Sequence, residues 1–180
     1  MMYGPLSTGM MMGIQMVRAS VASAASLALL ALAPPAAATD PAAPAAPVQA
    51  VAPAARAAAA AVDAFHAALR RGDTQAALAL LTDDALIFEE GRAERSKAEY
   101  AAQHLAADAA FSTAVPGVKT RRTGDSAHGL AWIASEGRTK GTFRGKAVNR
   151  VSAETMVLRD IGGSWKIVHI HWSSAESSVE

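Results

Sequence analysis

The stretch Trp165 to Ser174, WKIVHIHWSS, alternates apolar and polar residues with a period of two. That period belongs to a strand with one face turned to a core, so the chain must fold around a sheet whose two faces differ. Counted strictly, Ile167, His169, His171 and Ser173 share one face, and Lys166, Val168, Ile170 and Trp172 share the other. Two imidazoles and a hydroxyl then point the same way, which makes this face the first candidate for chemistry.

The preceding segments set what covers the sheet. Ala54 to Arg71 carries Ala58, Val62, Phe65 and Leu69 at spacings of three and four in an alanine-rich background, which predicts a helix ended by Gly72. Asp73 is suited to cap a second, short helix over Thr74 to Leu81, with Leu78 and Leu81 inward. Ser96, with Glu99 three residues on, is suited to cap a third that runs to about Phe111. A strand is expected between them at Ala85 to Glu89, with Leu86 and Phe88 opposite to Ile87 and Glu89. After the break at Pro116 and Gly117, β-branched residues and glycines predict strands over Val118 to Thr123, Leu130 to Thr142 and Val148 to Arg159. Helices followed by a run of antiparallel strands define an α+β fold, its helices on one side of a curved sheet.

Turn lengths fix a register. A two-residue turn at Arg144 and Gly145 pairs Glu154 with Ser135 and Met156 with Ile133. A four-residue loop from Ile161 to Ser164 sets Asp160 opposite Trp165, so that Met156 faces His169 and Glu154 faces His171. One face then carries Ser135, Glu154 and His171 in a row, with Ile133, Met156 and His169 beside them. The other carries Trp132, Val157 and Val168, with Ala134, Thr155 and Ile170. A one-residue slip exchanges the faces.

The front of the chain has a different character. Arg18 is the only charge in the first 39 residues; an apolar run from Val21 to Ala33 follows, then Pro34, Pro35 and three alanines. This is the layout of a secretory signal peptide over residues 1–38, cleaved near Ala38, and it predicts a periplasmic or secreted protein. The rival reading, an uncleaved membrane anchor, has too short an apolar run to span a bilayer. Residues 39–53 are mostly alanine and proline and read as a disordered tether, residues 54–175 as the folded domain and 176–180 as a tail.

Several function classes fall away. A net charge of +1, from 17 basic and 16 acidic residues, gives no electrostatic footprint for nucleic acid, and no stable membrane insertion of the mature chain is expected. With no cysteine there is no disulfide framework, thiolate metal site or cysteine nucleophile.

The run RRGDTQAALALLTDDALIFEEG (Arg70 to Gly91), a capped helix and the closing WKIVHIHWSS together resemble the cone-shaped α+β barrel superfamily of nuclear transport factor 2, ketosteroid isomerase and SnoaL-like polyketide cyclases. The resemblance covers about Ala55 to Ser174 and is to the SnoaL-like group, here in a secreted form. It implies three helices over a strongly curved, mainly antiparallel sheet, an apolar conical pocket, a homodimer built on the outer sheet face and no cofactor. Set against ketosteroid isomerase, the resemblance puts Glu89 on the position of the general-base carboxylate and Glu154 near that of the neutral carboxylic acid. Phe65 stands where that enzyme has an oxyanion tyrosine, a loss worth about 2.7–4 kcal/mol of transition-state stabilisation, which argues against steroid isomerisation as such.

The candidate catalytic groups are therefore Glu89, Glu154 and His171, with Ser135, Met156, His169, Ser173 and Phe65 as pocket lining. On the third helix Tyr100, His104 and Asp108 recur every four residues as one polar stripe, in which Asp108 can orient His104. His169, His171 and Glu154 also have the makings of a metal set, although without a recognised motif; His66 and His128 read as ordinary surface residues. The expected partner is a small hydrophobic or carbonyl-containing ligand. Cofactor-free isomerisation or dehydration next to a carbonyl, ligand binding without turnover, and a dimeric interaction module whose cone is filled by its own side chains all remain open.

Overall fold

The computed structural model describes residues 50–178, so the expected signal peptide and nearly all of the expected tether lie outside the described residues. Within the stretch read as tether, Val51 forms a parallel bridge with Gly124 and the Ala52 N–H donates to the Gly124 carbonyl at 2.9 Å. Folded structure therefore reaches back at least to Val51, and Pro53–Ala55 form a 3-10 turn.

Helix α1, Arg56–Arg70, buries Ala58, Val62, Phe65 and Leu69, the stripe its spacing predicts. Helix α2, Thr74–Ala79, is capped by Asp73, whose side chain accepts from the Ala76 N–H at 3.0 Å. The third expected helix is two. Ser96 caps α3, Lys97–Gln103, by accepting from the Glu99 N–H, and Glu99 reaches back to the Arg95 N–H. The backbone then breaks at His104 (φ −120°, ψ −35°), and α4 runs Leu105–Ala114.

Six strands follow the order β2-β1-β6-β5-β4-β3. They are β1 Leu81–Glu89, β2 Arg92–Glu94, β3 Val118–Ala127, β4 Leu130–Phe143, β5 Lys146–Ile161 and β6 Ser164–Glu176. All neighbours are antiparallel except β1 and β6, which run parallel. Strand β2 is not in the sequence reading; it pairs with β1 through a turn at Glu90 and Gly91, both with positive φ, as a two-residue hairpin turn requires. The Arg144–Gly145 turn has the same form, and β4 and β5 meet in the expected register, Ser135 opposite Glu154 and Ile133 opposite Met156.

The β5–β6 register departs from expectation, and this changes the site. Asp160 does face Trp165, but Leu158 pairs with Ile167 while Val157 pairs with His169. Val168 is an extra residue, a β-bulge, and a bulge exchanges the faces of everything beyond it. Glu154 thus faces Trp172, and Met156 faces Ile170. Ile167, Ile170, Met156, Ile133 and Ile87 are all buried with Phe65, Val62 and Leu69 in one core between helices and sheet. His169 and His171 turn to the outer face beside Phe88, whose ring lies 5.3 and 6.3 Å from theirs, and Trp172 turns inward.

Candidate functional site

The inward side chains of five strands fall into one register row. Glu89 pairs with Trp172, Trp172 with Glu154, Glu154 with Ser135, and Ser135 with Arg122. With strands about 4.8 Å apart, Glu89 and Glu154 flank Trp172 at backbone positions roughly 10 Å apart. Glu89, Trp172, Glu154 and Ser135 of this row line a cavity of about 490 Å³ between the sheet, α1 and α4, with Asp108 and His66 also in its wall.

Glu154 is the centre. Its Oε2 accepts the Trp172 indole N–H at 2.8 Å and lies 2.7 Å from His66 Nε2. Burial by itself would raise the carboxyl's pKa; the hydrogen bond and charge of His66, the indole N–H and the nearby Arg122 outweigh it and hold it below the ordinary range. Glu154 is therefore a fixed anion, unlike the neutral acid that the resemblance to ketosteroid isomerase implies. Phe65, fully buried, stacks on Trp172 with ring centres 6.3 Å apart and supplies no hydroxyl.

Glu89 is opposite in kind. It is half-buried, forms no ion pair among the described residues, and is pushed above the ordinary range by burial first, then by the charges of Asp108 and Glu90. Asp108 is also raised, mainly by burial, against the hydrogen bond it accepts from Tyr100 Oη at 2.9 Å. That contact corrects the expected stripe: Asp108 serves Tyr100, and His104 Nδ1 is instead hydrogen-bonded to Glu94, which is 2% exposed. The break at His104 turns the stripe aside. Tyr100 and Met156 are fully buried in the core, and Ser173 lines the cavity.

His169 and His171 are not part of this site. His169 Nδ1 lies 2.8 Å from the Leu86 carbonyl on the outer face, so the two imidazoles and Glu154 stand on opposite sides of the sheet and cannot form one metal set. Among the described residues no group of three or more His, Asp and Glu is placed to hold a metal ion.

His66, expected to be an ordinary surface residue, and Trp172, expected on the opposite face, both meet Glu154 in the cavity wall, while Asp63 and Arg122 were not among the candidates. Asp63 accepts from Lys119 Nζ at 2.7 Å and Arg122 Nη1 at 2.9 Å, and Arg122 Nε donates to Ser135 Oγ at 3.1 Å. Asp63, His66 and Arg70 recur at steps of three and four beside the buried Val62, Phe65 and Leu69, a polar flank that marks a helix edge looking into a cavity.

A helix-roofed α+β sheet with a polar pocket in its concave face defines the class. The chain belongs to the SnoaL-like domain family, whose profile matches residues 58–177. It is similar to a candidate ketosteroid isomerase from Shewanella frigidimarina at 34% identity over 65% of this chain and 94% of that one, with a TM-score of 0.63. At fold level it is similar to a candidate dehydratase of the nuclear transport factor 2-like family from Streptomyces avermitilis, with 17% identity over 69% and 98% of the two chains and a TM-score of 0.59. A candidate calcium/calmodulin-dependent protein kinase II association domain from Xanthomonas campestris has 24% identity over 71% and 94%, with a TM-score of 0.57. No curated protein matches this chain.

Proposed function

We propose that the protein is an exported domain that binds a small carbonyl-containing ligand in the cavity and moves a proton next to the carbonyl without a cofactor. One observation carries this: two carboxylates flank Trp172 in a single row with opposite tuning, Glu89 raised above the ordinary carboxylate range by burial and Glu154 held below it. A raised carboxylate is the right group to take a proton from carbon near neutral pH. Glu89 accepts that proton, and either returns it to another carbon, giving isomerisation, or leaves Asp108 to protonate a departing hydroxyl, giving dehydration. Glu154 holds His66 and Trp172 in place. Export rests on the signal-like first 38 residues.

The test is a screen for compounds that raise the melting temperature, followed by turnover of the hits by wild type and Glu89→Gln. A rate at least about 100-fold lower in the variant supports the assignment, in the range expected for losing a general base; equal rates overturn it. Phe65, which offers no oxyanion donor, favours a second reading, binding without turnover. In that case hits stabilise the protein, no product forms, and Glu89→Gln alters affinity alone.

The outer face supports a homodimer. Trp132, Leu130 and Phe88 are 40%, 49% and 38% exposed there, an apolar area that an isolated sheet would leave to solvent. Trp132→Arg is expected to convert a dimer to a monomer in sedimentation; a wild type that is monomeric at all concentrations contradicts the dimer.

A further inference from the structure

Beyond the Glu89–Trp172–Glu154 row the concave face changes character by register. The next row is Ser174, Ser152, Gly137 and Lys119; the one after it is Glu176, Arg150 and Thr139. Cations and carboxylates both collect at this end, the carboxylates being Asp63, Glu90, Glu136 and Glu176. Lys119 and Arg122 share one carboxylate, Asp63, and Arg150 Nη2 reaches Glu90 Oε1 at 3.0 Å. Arg70 and Arg138 also line the cavity and form no ion pair among the described residues. Glu176 faces Arg150 in register without an ion pair to it.

Among the described residues one guanidinium N–H in this part of the cavity wall is buried with no acceptor, Arg150 Nε. Buried donors in folded proteins are almost always partnered, so an orphan at a cavity wall marks where an acceptor from outside belongs. Between Ser152 and Lys119 the row holds Gly137, where an added Cβ would stand 3.1 Å from Ser152 Oγ and 3.3 Å from the Val118 carbonyl. Gly137 is thus closely packed against its neighbours, and Lys119, Ser152 and Arg150 line the cavity in these two rows.

We propose that the cavity's ligand is an oxo acid, its carboxylate seated against Arg150, Ser152 and Lys119 and its carbonyl turned to Glu89. The proposal rests on the cavity being the ligand site. Arg150 lies four residues from Glu154 on the same face of β5, roughly 13 Å along the strand, enough for one ring or a short chain between the two ends. Charge-assisted bonds from a guanidinium favour a carboxylate over a neutral acceptor.

The matched probes are 3-benzoylpropionate and its methyl ester, titrated calorimetrically into the full chain at low and high salt. The carboxylate is expected to bind about ten-fold tighter or more, the increment of one charge-assisted contact, with a preference that shrinks in salt. Arg150→Gln removes the preference and Glu89→Gln keeps it. Lys119→Met, which leaves Arg150 in place, reduces it and serves if Arg150→Gln does not fold. Equal affinity for acid and ester, no binding of the acid, or a preference that survives both variants overturns the proposal. Equal wild-type affinity for acid and ester, with turnover still dependent on Glu89, overturns the oxo-acid assignment alone. A preserved preference with turnover indifferent to Glu89 overturns the proton-transfer reading alone.

Discussion

His66 Nε2 lies 2.7 Å from Glu154 Oε2, so the first helix is joined to the centre of the sheet through a buried carboxylate. Among the described residues, removing the imidazole leaves Glu154 with the Trp172 N–H as its only hydrogen-bond donor. The His66 side chain is 29% exposed, which moderates the loss. His66→Ala is expected to cost about 1–3 kcal/mol at pH 7. Because Glu154 has a lowered pKa in the fold, its contribution is complete above the unfolded-state value and disappears as pH falls through the folded one. Urea denaturation should therefore show a smaller difference between His66→Ala and wild type at about pH 3 than at pH 7.

Glu89 carries the opposite sign. Its folded pKa is raised, so stability falls as pH rises from the ordinary carboxylate range through the raised value, above which the full burden of a half-buried anion remains. Glu89→Gln should raise the melting temperature near pH 8 and leave it nearly unchanged near about pH 4, where the native carboxyl is protonated. A lower melting temperature at pH 8 would contradict a strained carboxylate in the cavity wall.

The bulge at Val168 makes a prediction about chain length. Deleting Val168 leaves Ile167, Ile170 and Trp172 inward and His169 and His171 outward, because only the extra residue is lost. That deletion should fold with a loss of about 1–3 kcal/mol, the range of a local backbone adjustment. Deleting Ile170 instead moves His171 into the core position and Trp172 to the outer face, and should abolish folding. Circular dichroism and thermal melts of the two deletions separate these outcomes.

Gly124 lies where β3 meets both β4 and Val51, and an added Cβ would stand 2.6 Å from the Trp132 carbonyl and 2.6 Å from Ile133 Cδ1. The carbonyl belongs to a strand and cannot turn away. Gly124→Ala is expected to destabilise by about 1–3 kcal/mol or more, read as a lower urea midpoint with an unchanged slope.

Much of the fold is written in local pattern. The α1 stripe, the Asp73 and Ser96 caps and the Arg144–Gly145 turn each depend on a few neighbouring residues, and the structure has them where the sequence implies. The β4–β5 register follows from that turn, so Glu154 opposite Ser135 was legible as well. The site was legible only up to the bulge. Nothing in WKIVHIHWSS marks Val168 as the extra residue, and strict alternation past it carries His171 to the wrong side and hides Trp172. The buried Ile167 and Ile170, three apart where a regular strand needs an even step, are the trace of the bulge once burial is known. His66 was missed for a different reason: a lone polar residue on a helix edge acquires its role from Glu154, 88 positions later in the chain.

Carbon NMR titration of the glutamate carboxyls in the native protein reads out whether one row holds two glutamates tuned in opposite directions about Trp172. Assignment by Glu89→Gln and Glu154→Gln identifies the two resonances. Glu154 is expected to titrate below the ordinary glutamate value of about 4.3 and Glu89 above it, with the Trp172 indole signal following Glu154. Coincident titration of both at the ordinary value, with no response from the indole, would contradict it.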